Sequence, residues 1–159
     1  MNRRQKAILV EIITIIVITA IAVAAMLHLR NYVNHREAEK AITILGNRIR
    51  QYRVENGLVP PENWVNSERE NLPGNVRLGE LHYRGRWMDL ESAPDEILVY
   101  VEQKAHSLMF KDGFFVLRLR ELLNQDPDSH VNIEWMDAQE LNAILARQQS
   151  QIEIEILDK

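Results

Sequence analysis

The residues that could carry chemistry in this chain are its histidines and its closely spaced acidic residues. The five histidines are scattered along the sequence: His28, His35, His82, His106 and His130. Only His28 and His35 fall on one predicted helix, and the two turns between them are too many for both to bind one metal ion. Asp95-Glu96 and the pair Asp126 and Asp128 lie in turn-like surroundings, where capping or solvated carboxylates are the simplest interpretation.

Sequence motifs for catalysis or ligand binding are absent. The chain has no glycine-rich phosphate loop, no HExxH, no nucleophile elbow and no calcium-loop spacing. It has no cysteine, so neither disulfide bonds nor thiol chemistry are available. We therefore predict no catalytic residue, no metal ligand and no cofactor, and we expect that the protein is not an enzyme.

Glu11 is unusual because it lies inside a long apolar run, from Ala7 to Leu29. A carboxylate at the centre of a bilayer costs about 2.5–3.5 kcal/mol, and less near an interface. Glu11 would lie about 6 Å along a helix from Ala7, so snorkelling could relieve part of that cost. Two interpretations stay open: a tolerated interfacial glutamate, or a buried charge that meets a cationic partner on another subunit.

The apolar run itself has the length of a membrane span. A helix from Ala7 to Leu27 would be roughly 31 Å long, which is enough to cross the hydrocarbon core of a bilayer. Isoleucine, valine and threonine are modest helix formers in water, but lipid enforces a helix because every backbone group needs an internal partner. We predict a transmembrane helix over residues 7–29.

The helical pattern continues beyond the apolar run, over residues 30–57. This segment contains no proline before Pro60, Gly57 suits a left-handed helix cap, and Pro60-Pro61 prevent the helix from resuming. Apolar residues recur there at three and four residues on one stripe: Ala38, Ala41, Ile42, Leu45, Ile49 and Tyr52. The sequence thus predicts one helix from about Lys6 to Asn56, about 75 Å long, whose second half packs on a head domain through this stripe.

These features resemble the N-terminal part of type IV pilin-like proteins, including the pseudopilins of type II secretion. The similar segments are NRRQK, AILVEIITIIVITAIAV and LRNYVNHREAEKAITILGNRIRQYRVENGLVP. The resemblance implies a basic leader of residues 1–6, cleavage between Lys6 and Ala7, and pairing of Glu11 with the N-terminal amine of a neighbouring subunit. It also implies a structural subunit that assembles with like subunits through this helix.

Processing of the N-terminus has three alternatives. The first is cleavage after Lys6, as the resemblance implies. The second is a chain that keeps its leader, because Lys6 stands where the leader peptidase of that family needs a small residue, nearly always glycine. A secretory signal peptide cut near Ala24 is another alternative, but no helix breaker precedes that position and Glu11 interrupts the apolar core.

The charges on either side of the apolar run indicate which end of the predicted transmembrane helix faces the cytoplasm. Arg3, Arg4 and Lys6 precede it, which favours a cytoplasmic N-terminus, although three basic residues between positions 30 and 40 reduce the asymmetry. Together with the resemblance, this predicts a single-pass protein of the bacterial inner membrane with its C-terminal domain on the periplasmic side. Its expected partners are membrane lipid and like or related subunits.

Composition limits the remaining functions. The chain has 159 residues, of which 46% are hydrophobic, and this allows one membrane segment and one small domain over residues 58–159. Setting aside the residues at positions 3, 4, 6 and 11, the 19 basic and 23 acidic residues become 16 basic and 22 acidic. A domain with this acidic balance is not expected to bind nucleic acid, which needs a basic face.

The predicted head begins with loops and short extended pieces from Glu62 to Glu91. Strand-like segments follow at Glu96–Val101, Leu108–Phe110 and Phe114–Leu119, and Asp112-Gly113 between the last two predicts a hairpin turn with a positive φ at the glycine.

The sequence of the C-terminal part of the head predicts a helix followed by a strand. Asp137 can cap a helix that runs to about Gln149, and the alternation of isoleucine and glutamate over Ile152–Ile156 predicts a terminal edge strand. The expected fold class is α+β: a long N-terminal helix packed on a small antiparallel sheet, with a short C-terminal helix. Besides a pilin-like subunit, a single-pass anchored module that binds another protein through its sheet, without filament assembly, is the alternative function.

Overall fold

The computed structural model describes residues 3–73, 78–88, 92–104, 111–124 and 130–157, with the side chains of Trp87 and of residues 151–157 left out. Its main element is helix α1, Arg3–Asn56, which runs without interruption for 54 residues. Gly57 ends it in the left-handed region with φ of 71°, and the Gly57 N–H donates to the carbonyl oxygen of Arg53 at 2.7 Å. The single long helix and its glycine cap are therefore confirmed.

The head contains a four-stranded antiparallel sheet whose spatial order follows the chain. Its strands are β1 Leu81–Tyr83, β2 Ile97–Gln103, β3 Gly113–Arg118 and β4 Glu134–Met136. Three further helices, α2 Glu62–Glu70, α3 Arg120–Leu123 and α4 Ala138–Leu157, and a 3₁₀ turn at Gly85–Trp87 complete the described elements. The expected α+β class, with a long N-terminal helix, a small antiparallel sheet and a C-terminal helix, is confirmed.

The sheet separates two apolar clusters because alternate side chains on a strand point to opposite faces. Phe115 and Leu117 of β3 belong to the larger cluster, which also contains the buried residues of α1. Val116 lies on the other face with Leu141 of α4. The sheet is therefore covered by α1 on one face and by α4 on the other.

A bulge in β2 supplies side chains to both clusters. The register between β2 and β3 shifts between Ile97 and Val99, so Ile97 faces the α4 side while Leu98 and Val99 both belong to the α1 cluster. An extra residue of this kind shifts the alternation, so the side chains beyond it point to the opposite faces of the sheet from those they would otherwise occupy. All three side chains are fully buried.

Helix α2 was not predicted; loops and short extended pieces were expected there. Val65 is its one buried residue, and Trp64 beside it is half-buried, so its apolar signal is too short to show a period. The helix starts directly after Pro61, whose φ of −72° suits a helix start, and Glu62 lies in its first turn.

The predicted Asp112-Gly113 hairpin turn is wrong. Gly113 is the first residue of β3 and pairs with Gln103, so it lies in a strand and not in the predicted turn. Gly113 does not have a positive φ; among the described residues the only such glycine is Gly57. Glycine is needed at 113 for another reason, because a Cβ there would overlap the Trp135 indole. The predicted strand Leu108–Phe110 lies outside the described residues.

The predicted terminal strand is also wrong, because α4 continues through Ile152–Ile156 to Leu157. Its start is as expected: the Asp137 carboxylate accepts the Glu140 N–H at 2.9 Å. No glycine or proline separates Gln149 from Ile152, so extending an existing helix avoids the nucleation cost of a new element. The alternation of isoleucine and glutamate, which favours a strand, was therefore a weaker signal than the uninterrupted helix before it.

Candidate functional site

The side chains of the N-terminal half of α1 are exposed and do not pack on the head. Every residue from Arg3 to Arg30 is exposed, and apolar side chains there are exposed by up to 73%, at Met26. The half contains one stretch that is long and apolar enough to cross a membrane, with a mean hydropathy of 2.8 and none of its surface buried in the head. It is therefore compatible with a single transmembrane span.

Two threonine hydroxyls inside this half are satisfied within the helix. The hydroxyls of Thr14 and Thr19 donate to the carbonyl oxygens of Val10 and Ile15, each at 2.8 Å. A hydroxyl that bonds to the preceding turn leaves no open donor, which suits a hydrocarbon environment. The threonines thus do not interrupt the apolar surface.

Glu11 is the exception, since its exposed carboxylate forms no hydrogen bond or ion pair within the part of the chain that the structure describes. Lys6 and Ala7, the residues of the predicted cleavage point, lie in the first turns of the same helix and are also exposed. Glu11 is one turn beyond Ala7, a rise of about 6 Å. These three residues share one end of α1, far from the head.

The predicted packing stripe lies in the second half of α1. Ala38, Ile42, Leu45 and Ile49 are each no more than 2% exposed and belong to the main core cluster. Tyr52, the last member, is half-buried, and its ring centroid lies 4.6 Å from that of Trp64 in α2. The stripe therefore fixes the head to the helix, whereas Glu11 lies about 40 Å from Ala38 along the axis.

Gly46 is a packing residue that the sequence analysis missed. A Cβ at this position would lie 2.8 Å from Cγ2 of Val131 and 3.3 Å from Cδ2 of Leu117. The glycine lets the backbone of α1 approach β3 and the segment before β4 closely. An isolated glycine inside a helical pattern was the available signal for it.

A ring cluster at the junction of the two halves was also missed. The imidazole of His35 lies 4.8 Å from the ring of Phe115 and 4.7 Å from the indole of Trp135, between ring centroids. Partial burial in this cluster lowers the pKa of His35 from 6.5; Glu39 opposes the shift and Arg36 adds to it. Asn31, one turn earlier, is 6% exposed and its Nδ2 has no hydrogen-bond partner.

Charged side chains connect elements of the head. The Arg118 guanidinium donates to Glu134 across β3 and β4 at 2.8 Å, and Arg120 contacts both Glu134 and Asp95. Arg48 of α1 pairs with Glu68 of α2. Each of these groups has an opposite charge beside it, so the pairs tie elements of the head together.

A groove lies on the described surface of the head. An open groove of about 540 Å³ lies beside the turn that follows α1, lined by Val59, Pro60, Pro61, Glu62, Asn63, Asn66, Gly85 and Arg86. Burial raises the pKa of the nearby Tyr83 hydroxyl, which donates to the Pro60 carbonyl oxygen. Within the described ranges, no three histidine or acidic side chains stand close enough to hold a metal ion.

The prominent feature of the described residues is a row of exposed apolar side chains on α1, whose other half is held in the head. Comparison with protein-family models, with curated proteins and with solved structures finds no match to this chain.

Proposed function

We propose that this protein is a pilin-like structural subunit that is anchored in a membrane by the first half of α1 and assembles through that half with like subunits. The observation that carries the proposal is the division of one continuous helix. Residues 3–30 are exposed on every side, while Ala38 to Ile49 form the core of the head. The helix therefore joins a lipid-compatible rod rigidly to a folded domain.

The exposed half needs an apolar partner. Burying one valine, leucine or isoleucine side chain is worth about 1.5–3 kcal/mol, so leaving a whole helix of them in water is unfavourable. Lipid and the corresponding helices of neighbouring subunits both satisfy this requirement.

Glu11 favours assembly over simple anchoring. A carboxylate inside an apolar surface is costly unless a cation meets it, and no cation of the described part of the chain does so. Lys6 and the other basic residues before Ala7 lie on the same end of the helix. An amine or basic side chain from a second copy, displaced along the axis by about one turn, would neutralise the charge, as the resemblance to pilin-like proteins implies.

Replacing Glu11 tests the assembly. The chain has no cysteine, so a single cysteine introduced by Ile16→Cys can report contact between copies by disulfide cross-linking in membranes. We expect the Glu11→Leu variant to lose this cross-link while the protein still requires detergent for extraction. Glu11→Asp should retain part of the cross-linking because it keeps the charge.

A cysteine introduced by Lys40→Cys, at an exposed position beyond the span, provides the matched control for random collision. Cross-linking of Glu11→Leu at the unaltered level would contradict assembly through Glu11 and favour the alternative, a single-pass anchored module that binds other proteins through its head. The intact mass of membrane-extracted protein would show separately whether the chain is cut after Lys6, cut near Ala24, or uncut.

A further inference from the structure

Trp135 is an unusual residue on the surface of the head. Among the head side chains that the structure describes, the large apolar ones that are exposed are those of Leu58 and Trp135, the latter by 41%. Its ring packs on Phe115 and His35, with centroid distances of 4.9 Å and 4.7 Å. The indole is thus fixed on one side by the core and open on the other.

The course of β3 places Trp135 at the end of the head nearest the exposed half of α1. Phe115 contacts His35, and farther along the chain Arg53 donates to the carbonyl oxygen of Leu122 at 3.1 Å. The chain from Phe115 to Leu122 therefore runs in the same direction as α1, away from residues 7–29. The first residue of β3, Gly113, lies toward the span.

The indole leans toward that end. Phe115 pairs with Trp135 across β3 and β4, and the space that a Cβ on Gly113 would occupy is filled by atoms of the indole. Since Gly113 precedes Phe115 by two residues, it lies on the same face of the sheet and nearer the span. The absence of a side chain at 113 gives the indole its position.

The rise per residue of α1 gives the distance of the Trp135 indole from the end of the proposed span. His35 lies six residues beyond Leu29, about 9 Å along the axis, and helical side chains tilt back toward the N-terminus. The polar interface on each side of a bilayer core is roughly 5–7 Å thick. With the span over residues 7–29, the backbone of His35 lies about 2–4 Å beyond this layer, and the lean of the ring cluster toward the span brings the indole of Trp135 to the outer edge of the headgroups.

A second aromatic residue lies at the same level. Tyr32 is 49% exposed on α1, and the guanidinium of Arg36 stands 5.8 Å from its ring centre. Tyrosine and tryptophan concentrate at membrane interfaces because each combines an apolar ring with one polar group. Glu39 pairs with Arg36 at 3.0 Å, so the cation beside the Tyr32 ring has a carboxylate partner.

We propose that Trp135 and Tyr32 together form an aromatic contact with the headgroup layer of the bilayer, which seats the head on the membrane surface. The proposal rests on the proposed anchor. The occupant is phospholipid, through its headgroup and carbonyl region, and because the two rings that make the contact are uncharged, anionic lipid is not required. The contact limits tilting of the head relative to the membrane, since it adds a second point of attachment beside α1.

Depth-dependent fluorescence quenching of the full chain tests the contact. In a Trp64→Phe, Trp87→Phe background, Trp135 is the single tryptophan, and the protein is reconstituted in phosphatidylcholine vesicles that carry bromines at shallow or deep acyl positions. Trp135 emission should be quenched by shallow bromines more than by deep ones. The quenching should be the same when phosphatidylglycerol is added.

Two matched variants separate this contact from the anchor. With Trp64 as the single tryptophan, at the far end of the head near Tyr52, no quenching is expected. With Val17→Trp as the single tryptophan, quenching should be strongest from deep bromines. If Val17→Trp is quenched and Trp135 is not, the aromatic contact is wrong and the anchor stands; if Val17→Trp is not quenched, the anchor itself is wrong and the contact with it.

Equal quenching of Trp64 and Trp135 would also overturn the contact, because the head would then lie flat on the bilayer. If the double-phenylalanine background fails to fold, a nitroxide on Trp135→Cys in the otherwise unchanged chain replaces the fluorescence measurement. Its relaxation by oxygen dissolved in the lipid should exceed that of a nitroxide on Asn66→Cys in α2. Equal relaxation at the two positions would refute the contact.

Discussion

The two halves of α1 share one backbone geometry but have opposite surroundings. Over residues 7–29 every side chain is exposed, whereas Ala38, Ile42, Leu45 and Ile49 are almost completely buried. The first half contributes nothing to the core of the head, and the second half is the centre of that core. The difference shows that two halves of one helix can meet different requirements: the second packs apolar side chains against a sheet, and the first is long and apolar enough to span a membrane.

The largest effect should come from a cavity in the buried half. Leu45→Ala removes a fully buried side chain from the main cluster, and we expect the free energy of unfolding of the head to fall by about 2–5 kcal/mol. Urea denaturation in detergent micelles, followed by tryptophan emission, measures this change.

Ile16→Ala is the matched control for Leu45→Ala in the exposed half, since Ile16 is 61% exposed. It should change head stability by no more than about 0.5 kcal/mol. Similar losses in both variants would mean that the two halves are not energetically separate, and the comparison would fail.

A smaller effect is expected at Gly46. Helix propensity alone predicts that Gly46→Ala stabilises the protein by about 1 kcal/mol, whereas the added Cβ lies 2.8 Å from Val131 Cγ2. Because that contact is with a short branched side chain packed in the core, we expect a net loss of about 1–3 kcal/mol.

The double variant Gly46→Ala, Val131→Ala should lose less than the two single changes add up to, because it removes the close contact. The readout is again the urea midpoint. Stabilisation by Gly46→Ala alone would show that the helix and sheet separate at no cost here, and that close approach does not decide the residue at position 46.

The smallest effect concerns the junction between the halves, at His35. Burial lowers its pKa in the folded protein below 6.5, so the unfolded chain binds the proton more tightly. The stability that neutral His35 provides is therefore complete above pH 6.5 and is lost as the pH falls from 6.5 toward the lower folded-state pKa.

Comparing urea midpoints at about pH 7.5 and about pH 5.5 should show a drop in the unaltered protein that is smaller in His35→Gln. The effect is modest because His35 is only partly buried and Glu39 opposes the shift. An identical drop in both proteins would assign the pH dependence to other groups.

Much of the helix could be predicted from the sequence because its signals are long. Apolar composition over residues 7–29 and the regular stripe from Ala38 to Tyr52 repeat over many turns, and Gly57 with Pro60-Pro61 provides a sharp end. The short elements could not be predicted as well. Helix α2 has one buried residue, and the Ile152–Ile156 alternation favoured a strand where the preceding helix simply continues.

The residues of the candidate site also differ in whether the sequence could reveal them. Glu11 was evident from the sequence because a charge in an apolar run is visible without any fold. The close contact at Gly46 and the ring cluster of His35, Phe115 and Trp135 were not, since both join α1 to residues far along the chain in the sheet region.

By itself the sequence determined the long helix, its apolar and amphipathic halves and its end, because these depend on contacts and residue types within a few turns. Only the tertiary structure decided which strands pair, that α1 and α4 cover opposite faces of the sheet, and that the indole of Trp135 fills the empty position at Gly113. Those features depend on the packing of distant segments, where the fit of one side chain into the space left by another selects the arrangement.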